Sequence, residues 1–315
     1  MSVLWCLLAL AVSAVAAERG LELRGRIEPA PGRASVAVHG ALTPFSDQAF
    51  SDSKGRFTFR NLVPGSYTIA VFLPGYGEVI RTVDVTSSLA DVKGRVSVVI
   101  PFEPPGRAVA TAIKERGTVS VKALAIPGRA QAEYQAAQHD LARRDTESAK
   151  RHLERAVELA PHFMLAWNNL GTIAYQTGRH VEAERHFRNA LEQEPGAFYP
   201  VVNLGGVLLN LGKLEEALKY NEYAVREQPH DALANSQLGM TYFLRGDADR
   251  ALKYLTEAKR LDPGHFSQPQ LYLARIYAAR GDAKAAAREL EEYIRLHPDA
   301  PESAGLRRQV EKLRQ

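Results

Sequence analysis

The reactive side chains of this 315-residue chain do not come together at any spacing that assembles a catalytic unit. Of nine histidines, His162, His230, His265 and His297 fall near prolines, and His180 and His186 stand six apart, a step that places them on different faces of one helix. No H-E-x-x-H occurs, and no carboxylate is spaced to complete a metal triad, so the histidines are expected at the surface or in turns. The pair Glu215-Glu216 opens a predicted helix, where the helix dipole favours negative charge, and Glu291-Glu292 falls on a solvated helix face. Asp47 and Asp52 sit in predicted loops; a calcium ion needs more oxygen ligands close together, so both read as turn formers. There is no Gly-rich phosphate loop and no G-x-S-x-G. The single cysteine, Cys6, lies in an apolar N-terminal run. Removal of that run leaves no thiol, which excludes disulfides, thiolate metal sites and cysteine nucleophiles. The expectation is a protein without catalytic residues, cofactor or metal.

The elements behind these residues are set by a recurrence. Pro161, Pro195, Pro229, Pro263 and Pro298 are separated by 34, 34, 34 and 35 residues. Leu170-Gly171, Leu204-Gly205 and Leu238-Gly239 keep the same step, with Leu273-Ala274 one residue later. Ala149, Ala183, Ala217, Ala251 and Ala286 recur likewise, as do Ala156, Ala190, Ala224 and Ala258 before Tyr293 breaks that series. Leu153, Phe187, Leu255 and Leu290 occupy one large apolar position, where the third copy has Asn221. Small residues at such a period let two helix backbones approach, and large ones fill the groove beside them. Gly178, Gly212 and Gly246 mark the turn inside each copy, and the prolines end it. One hairpin cannot hide its own apolar face, so the copies must stack.

Trp167, Leu170, Gly171, Ala183, Phe187, Ala190 and Pro195 give the second copy a close resemblance to the tetratricopeptide repeat family. The resemblance covers five copies over 128–300. The first is degenerate, with Ala136-Ala137 where later copies have Leu-Gly, as suits a terminal capping copy. Residues 301–315 read as one more helix, its apolar face Leu306, Val310 and Leu313, capping the array. The resemblance implies that the first helix of each copy lines a concave groove that receives a protein or peptide. Projected onto this chain, the family's groove positions are Tyr134 and Gln138; Asn168, Thr172 and Tyr175; Tyr199, Val202 and Asn210; Ser236, Met240 and Phe243; Tyr272 and Arg275. Asn168 and Ser236 are expected to face the groove, Trp167 to be core, and Tyr175 and Phe243 to lean towards core. The set lacks the Lys/Arg cluster with which some family members clamp a C-terminal carboxylate.

The first third differs in character. Val3 to Ala17 is an apolar run of 15 residues ending in small ones, shorter than the roughly 20 needed to span a membrane. It reads as a signal peptide over 1–17, cleaved near Ala16 or Ala17, so the protein is expected to be periplasmic or secreted. The membrane enters only if that segment is retained. Residues 18–102 alternate apolar and polar at 21–27, 56–60, 66–71, 79–85 and 96–100, with Gly/Pro turns between, as in a small β-sandwich whose interior takes Phe57, Phe59, Tyr67, Ile69 and Val71. The stretch Asp52-Ser53-Lys54-Gly55-Arg56-Phe57 through Asn61-Leu62-Val63-Pro64-Gly65-Ser66-Tyr67, then Gly75-Tyr76, resembles the carboxypeptidase regulatory-like domain, which implies a transthyretin-like sandwich. Residues 103–127 form a linker with a possible further strand over 117–126. The expected architecture is an all-β sandwich followed by an all-α solenoid.

Charge narrows the partners. Residues 18–127 hold 14 Lys and Arg against 10 Asp and Glu, and residues 128–315 hold 26 of each. No basic stripe exists for nucleic acid. The leading expectation is a non-catalytic scaffold or assembly factor of the cell envelope. A second is a carbohydrate-binding module in which sandwich loops near Phe45 and Tyr76 stack on sugar rings. A third is a non-catalytic subunit of an envelope enzyme complex.

Overall fold

The computed structural model describes residues 20–30, 32–73, 77–102 and 126–314. The proposed signal segment, Tyr76 and the 103–125 part of the linker, with most of its possible strand, lie outside them.

Seven strands form the N-terminal part: β1 Leu21–Glu28, β2 Ser35–Gly40, β3 Ser46–Phe50, β4 Arg56–Leu62, β5 Gly65–Leu73, β6 Gly77–Val85 and β7 Arg95–Pro101. They make two sheets, β4-β1-β7 and β3-β2-β5-β6. All neighbours run antiparallel except β1 and β7, which are parallel. Alternation drives the packing. Leu23 and Ile27 from one sheet meet Val36, Val38, Ile69 and Val71 from the other, all at 0 % exposure, and Phe57 and Phe59 close the interior. The sequence reading missed β2 and β3. Both strands are short, and the inward positions of β3 opposite Val36 and Val38 carry Ala49 and Asp47, so no run of large alternating residues marks them.

Among the described residues, eleven helices follow. Five pairs are α1 Gly128–Ala142 with α2 Thr146–Leu159, α3 Met164–Gln176 with α4 His180–Gln193, α5 Phe198–Asn210 with α6 Leu214–Glu227, α7 Ala232–Leu244 with α8 Ala248–Leu261, and α9 Pro269–Ala279 with α10 Ala283–Leu296. The last, α11 Ser303–Leu313, lays Val310 and parts of Leu306 and Leu313 against α9 and α10 as a cap. Asp145, Asp247 and Asp282 cap second helices by accepting from the amides of Ser148, Arg250 and Ala285. The periodic small residues Ala149, Ala183, Ala217, Ala251 and Ala286 are buried where paired helices meet.

The stack is curved. First helices α3, α5 and α7 each pack on the next first helix, the last of these contacts being with α9. Second helices are instead bridged by long ion pairs, Lys213 in the turn before α6 to Glu184 in α4 at 2.7 Å and Lys259 in α8 to Glu289 in α10 at 2.8 Å. The first helices therefore line the inner, concave side.

Candidate functional site

The first-helix residues named from sequence form a ladder that runs from copy to copy. The Asn169 side chain donates to the Tyr134 hydroxyl at 3.2 Å, Asn203 to the Asn168 Oδ1 at 3.1 Å, and Asn210 to the Tyr175 hydroxyl at 3.0 Å. In the last copies Phe243 meets Tyr272 edge to face at 5.4 Å, and the Arg275 guanidinium lies 5.8 Å from the Tyr272 ring centre. The three hydrogen bonds and the Phe243–Tyr272 contact each join one first helix to the next, while the Arg275 contact stays within α9, so these residues also help to hold neighbouring copies in register. Burial raises the pKa of the Tyr134 and Tyr175 hydroxyls, which keeps them neutral donors and acceptors.

Most of the named residues keep some exposure. Gln138, Asn168, Thr172, Tyr175, Met240, Phe243 and Tyr272 are half-buried, while Tyr199, Asn210 and Arg275 are exposed. Two depart. Val202 is buried, and Ser236, expected to face the groove, is at 0 % exposure with its hydroxyl 2.6 Å from that of Ser267. The reason is local: the α8–α9 turn carries the extra residue of the 35-residue step and folds Ser267 and His265 over Ser236. Trp167 is half-buried, its indole N–H donating to the Pro161 carbonyl at 2.8 Å and its ring stacked on His186.

Of the histidines, His265 and His297 lie in turns between copies as expected, though buried there, while His186 departs by lying buried within α4. His186, His265 and His297 are buried, at 6 %, 4 % and 6 % exposure. His265 accepts from the Ser267 amide at 3.2 Å, and burial lowers its pKa to about 3. Glu292 is not simply solvated, since it pairs with Lys259 at 3.2 Å. Glu215 and Glu216 do occupy the first turn of α6. Among the described residues, no three His, Cys, Asp or Glu side chains gather to hold a metal ion.

Sequence reasoning missed a line of contacts that joins the sandwich to the concave side. In the turn after α1, Arg144 donates to the Tyr67 hydroxyl at 2.9 Å and lays its guanidinium over the Phe45 ring at 4.2 Å. The Gln176 amide, at the end of α3, donates to the Gly40 carbonyl at 2.8 Å. At the start of α5 the Tyr199 hydroxyl donates to Glu78 at 3.1 Å. The Thr82 amide, on the free edge of β6, donates to Asp262 after α8 at 2.9 Å. His297, after α10, meets Asp84 at 2.6 Å, and Ser88 reaches Asp299. These points pass from the far ends of the first helices in copies one and two to their near ends in copies three to five. The sandwich thus lies obliquely over the groove.

Glu78 and Tyr199 both keep solvent exposure, yet the protein around them shifts their titration. Desolvation raises the Glu78 carboxyl against the opposing hydrogen bond from Tyr199, and it raises the Tyr199 hydroxyl with help from the Glu78 charge. Burial likewise raises Asp231 and Asp262. At the β6 end a cavity of about 230 Å³ remains between the domains, lined by Arg81, Asp84, Val98, Asp262, Leu296 and His297 among others. Phe45, at 6 % exposure under Arg144, has no free face for a sugar ring.

Comparison with known proteins agrees with this division. Residues 23–93 match the carboxypeptidase regulatory-like domain. Residues 131–262 match the cilia and flagella-associated protein 70 middle TPR-like domain, and residues 242–310 match the tetratricopeptide repeat. Among solved structures, PilW, described as a widely conserved type IV pilus biogenesis factor, is similar with a TM-score of 0.51 at 20 % identity over 59 % of this chain and 91 % of its own. MamA from Desulfovibrio magneticus RS-1 is similar with a TM-score of 0.49 at 24 % identity over 56 % and 99 %. YrrB, described as a TPR protein with an unusual peptide-binding site, gives 0.46 at 23 % identity over 64 % and 98 %. At these identities the likeness is one of fold. No curated protein matches the chain.

Proposed function

We propose that this chain, a carboxypeptidase regulatory-like domain joined to a tetratricopeptide-repeat solenoid, is a non-catalytic scaffold that binds a protein or peptide along its first helices. The observation that carries the reading is the ladder of half-exposed amides and aromatics from Tyr134 to Arg275 on the inner side of a curved stack. Amides that can exchange partners suit an extended backbone, and aromatics supply rigid contact area. The absence of any cluster of basic residues among the named positions favours a neutral segment over an acidic one or a C-terminal carboxylate.

We place this activity outside the cytoplasm, at the cell envelope or beyond it. Support comes from the apolar run Val3 to Ala17 and its small-residue end. Mass spectrometry of the N-terminus after cell fractionation tests this: a chain starting near Ala17 or Glu18 supports it, and an intact Met1 on a chain recovered in the cytoplasmic fraction overturns it.

For the groove, the test is capture from envelope extract by the full chain and by the triple variant Asn168→Ala/Tyr175→Ala/Phe243→Ala. Partners lost by a variant of unchanged helical content support the groove. An unchanged set of partners overturns it. The carbohydrate reading has lost Phe45 as a platform, and no observation favours it over the groove.

A further inference from the structure

The turn inside each copy requires a left-handed residue, and four copies supply glycine: Gly178, Gly212, Gly246 and Gly281, with φ of 76°, 71°, 81° and 78°. The first copy places Arg144 there, at φ 62°. A left-handed conformation is unfavourable for a non-glycine residue, whose Cβ crowds the following carbonyl oxygen. The turn itself gains nothing from a long cationic side chain. That side chain runs instead to the sandwich, where it covers Phe45 and bonds the Tyr67 hydroxyl.

The second departure from the repeat tells the same story. The only 35-residue step places its extra residue in the α8–α9 turn. Asp262 and Gly264 of that turn meet Thr82 of β6, and a Cβ at Gly264 would lie 3.4 Å from the Thr82 carbonyl. Gln268 in the same turn is also left-handed, at φ 56°. These two irregularities of the turns both coincide with places where the sandwich rests. Strain held at such sites points to a selected role.

We propose that the sandwich is a built-in occupant of the concave groove, anchored by Arg144 at one end and by Asp262 and His297 at the other, so that a partner enters only when the sandwich swings off. This rests on the groove being the binding surface. Tyr199 shows the conflict directly: it is a named groove residue, and its hydroxyl is already engaged by Glu78. The contacts that hold the closed arrangement are a few hydrogen bonds and one buried His–Asp pair rather than a continuous apolar core. Ser66, Thr82 and Asp84 on the outer face of the sheet are polar, which suits an interface that opens. The release is a population shift between two arrangements, driven by whatever affinity the partner has for the uncovered first helices.

The Thr82 amide reports the closed state. It lies on the free edge of β6 and has Asp262 as its acceptor. In Arg144→Gly the turn takes the residue its sister copies use, so the solenoid keeps or gains stability, while the far anchor is left untouched. Hydrogen exchange of the 77–85 segment and the radius of gyration are then measured on the full-length variant and wild type. The expected result is several-fold faster exchange at Thr82 and a larger radius in Arg144→Gly, with Tyr67→Phe between the two chains and the helical melting point not lowered. Unchanged Thr82 exchange in Arg144→Gly, or wild-type exchange already as fast as an open strand edge, overturns the proposal. Asp262→Asn is the positive control for the reporter. Because no partner is added, failure here leaves the groove reading standing. If Thr82 behaves as expected and neither chain binds a partner that depends on Asn168, Tyr175 and Phe243, the groove reading falls and the closed state remains.

Discussion

Gly171 and Phe187 occupy one hole between them: a Cβ on Gly171 would fall 2.6 Å from the Phe187 ring. Helices α3 and α4 can approach only because the glycine leaves that space. The same relation recurs at Gly205 with Asn221 and at Gly239 with Leu255.

Gly171→Ala is therefore expected to destabilise the solenoid by about 1–3 kcal/mol, the range for overpacking a filled core. Phe187 is at 1 % exposure and has little room to yield. Urea unfolding followed by helical circular dichroism reads the effect. A variant as stable as wild type would show that the contact relaxes freely.

Acid should weaken the fold through His265. Burial holds its pKa at about 3 against an ordinary 6.5, so the folded chain keeps the ring neutral while the unfolded chain takes up a proton. Stability from this group is present above pH 6.5 and is lost as pH falls towards 3, at up to about 1.4 kcal/mol per pH unit. The carboxyls of Glu78, Asp231 and Asp262, raised by burial, act in the opposite sense as pH rises through their folded values. Unfolding midpoints at pH 7 and pH 5 for wild type and His265→Gln separate these contributions. The variant should show the shallower loss on acidification.

Lys259→Ala should cost about 1–2 kcal/mol, less than for a fully buried pair because the lysine keeps some exposure. It removes the cation between Glu289 and Glu292, at 2.8 and 3.2 Å, and leaves two carboxylates facing each other. Lys259→Met keeps the apolar stem and should lose nearly as much, and the gap from wild type should narrow in high salt. A loss insensitive to salt would mean that packing, not charge, is what the residue supplies.

Tyr67→Phe deletes a hydroxyl that donates to the Val63 carbonyl at 2.8 Å and accepts from Arg144. The expected cost to the sandwich is about 1 kcal/mol, the value of one internal hydrogen bond. Since the ring stays and Phe45 still packs edge to face on it at 5.7 Å, the sandwich should remain folded by near-ultraviolet circular dichroism.

The repeats were legible because close helix approach demands the same small residues in every copy. Gly171, Ala183 and Ala190 announce the hairpin whatever surrounds it. The strands were legible where large residues alternate, as in Phe57 and Phe59 or Tyr67, Ile69 and Val71, and invisible in the short β2 and β3, where Asp47 and Ala49 take the inward positions of β3. The groove set was readable as first-helix positions, although Ser236 was lost to a one-residue insertion whose local fold no periodicity describes. The burial of His297 was out of reach for another reason. Its partner Asp84 lies in a different domain, and nothing in either helix or strand pattern says that the two meet. Arg144 in place of glycine was the one visible clue, a breach of the repeat's own rule.

A sandwich that touches the turn of the first hairpin through Arg144 and the end of the fifth through His297 works as a gauge block. Ordinary arrays of this kind gain or lose units freely, since each unit knows only its neighbours. Here one added hairpin would carry the far anchor about 10 Å further along and rotate it away, and one deletion would do the reverse. The tally of hairpins is thus a dimension the molecule must keep, cut to the length of a single β-domain.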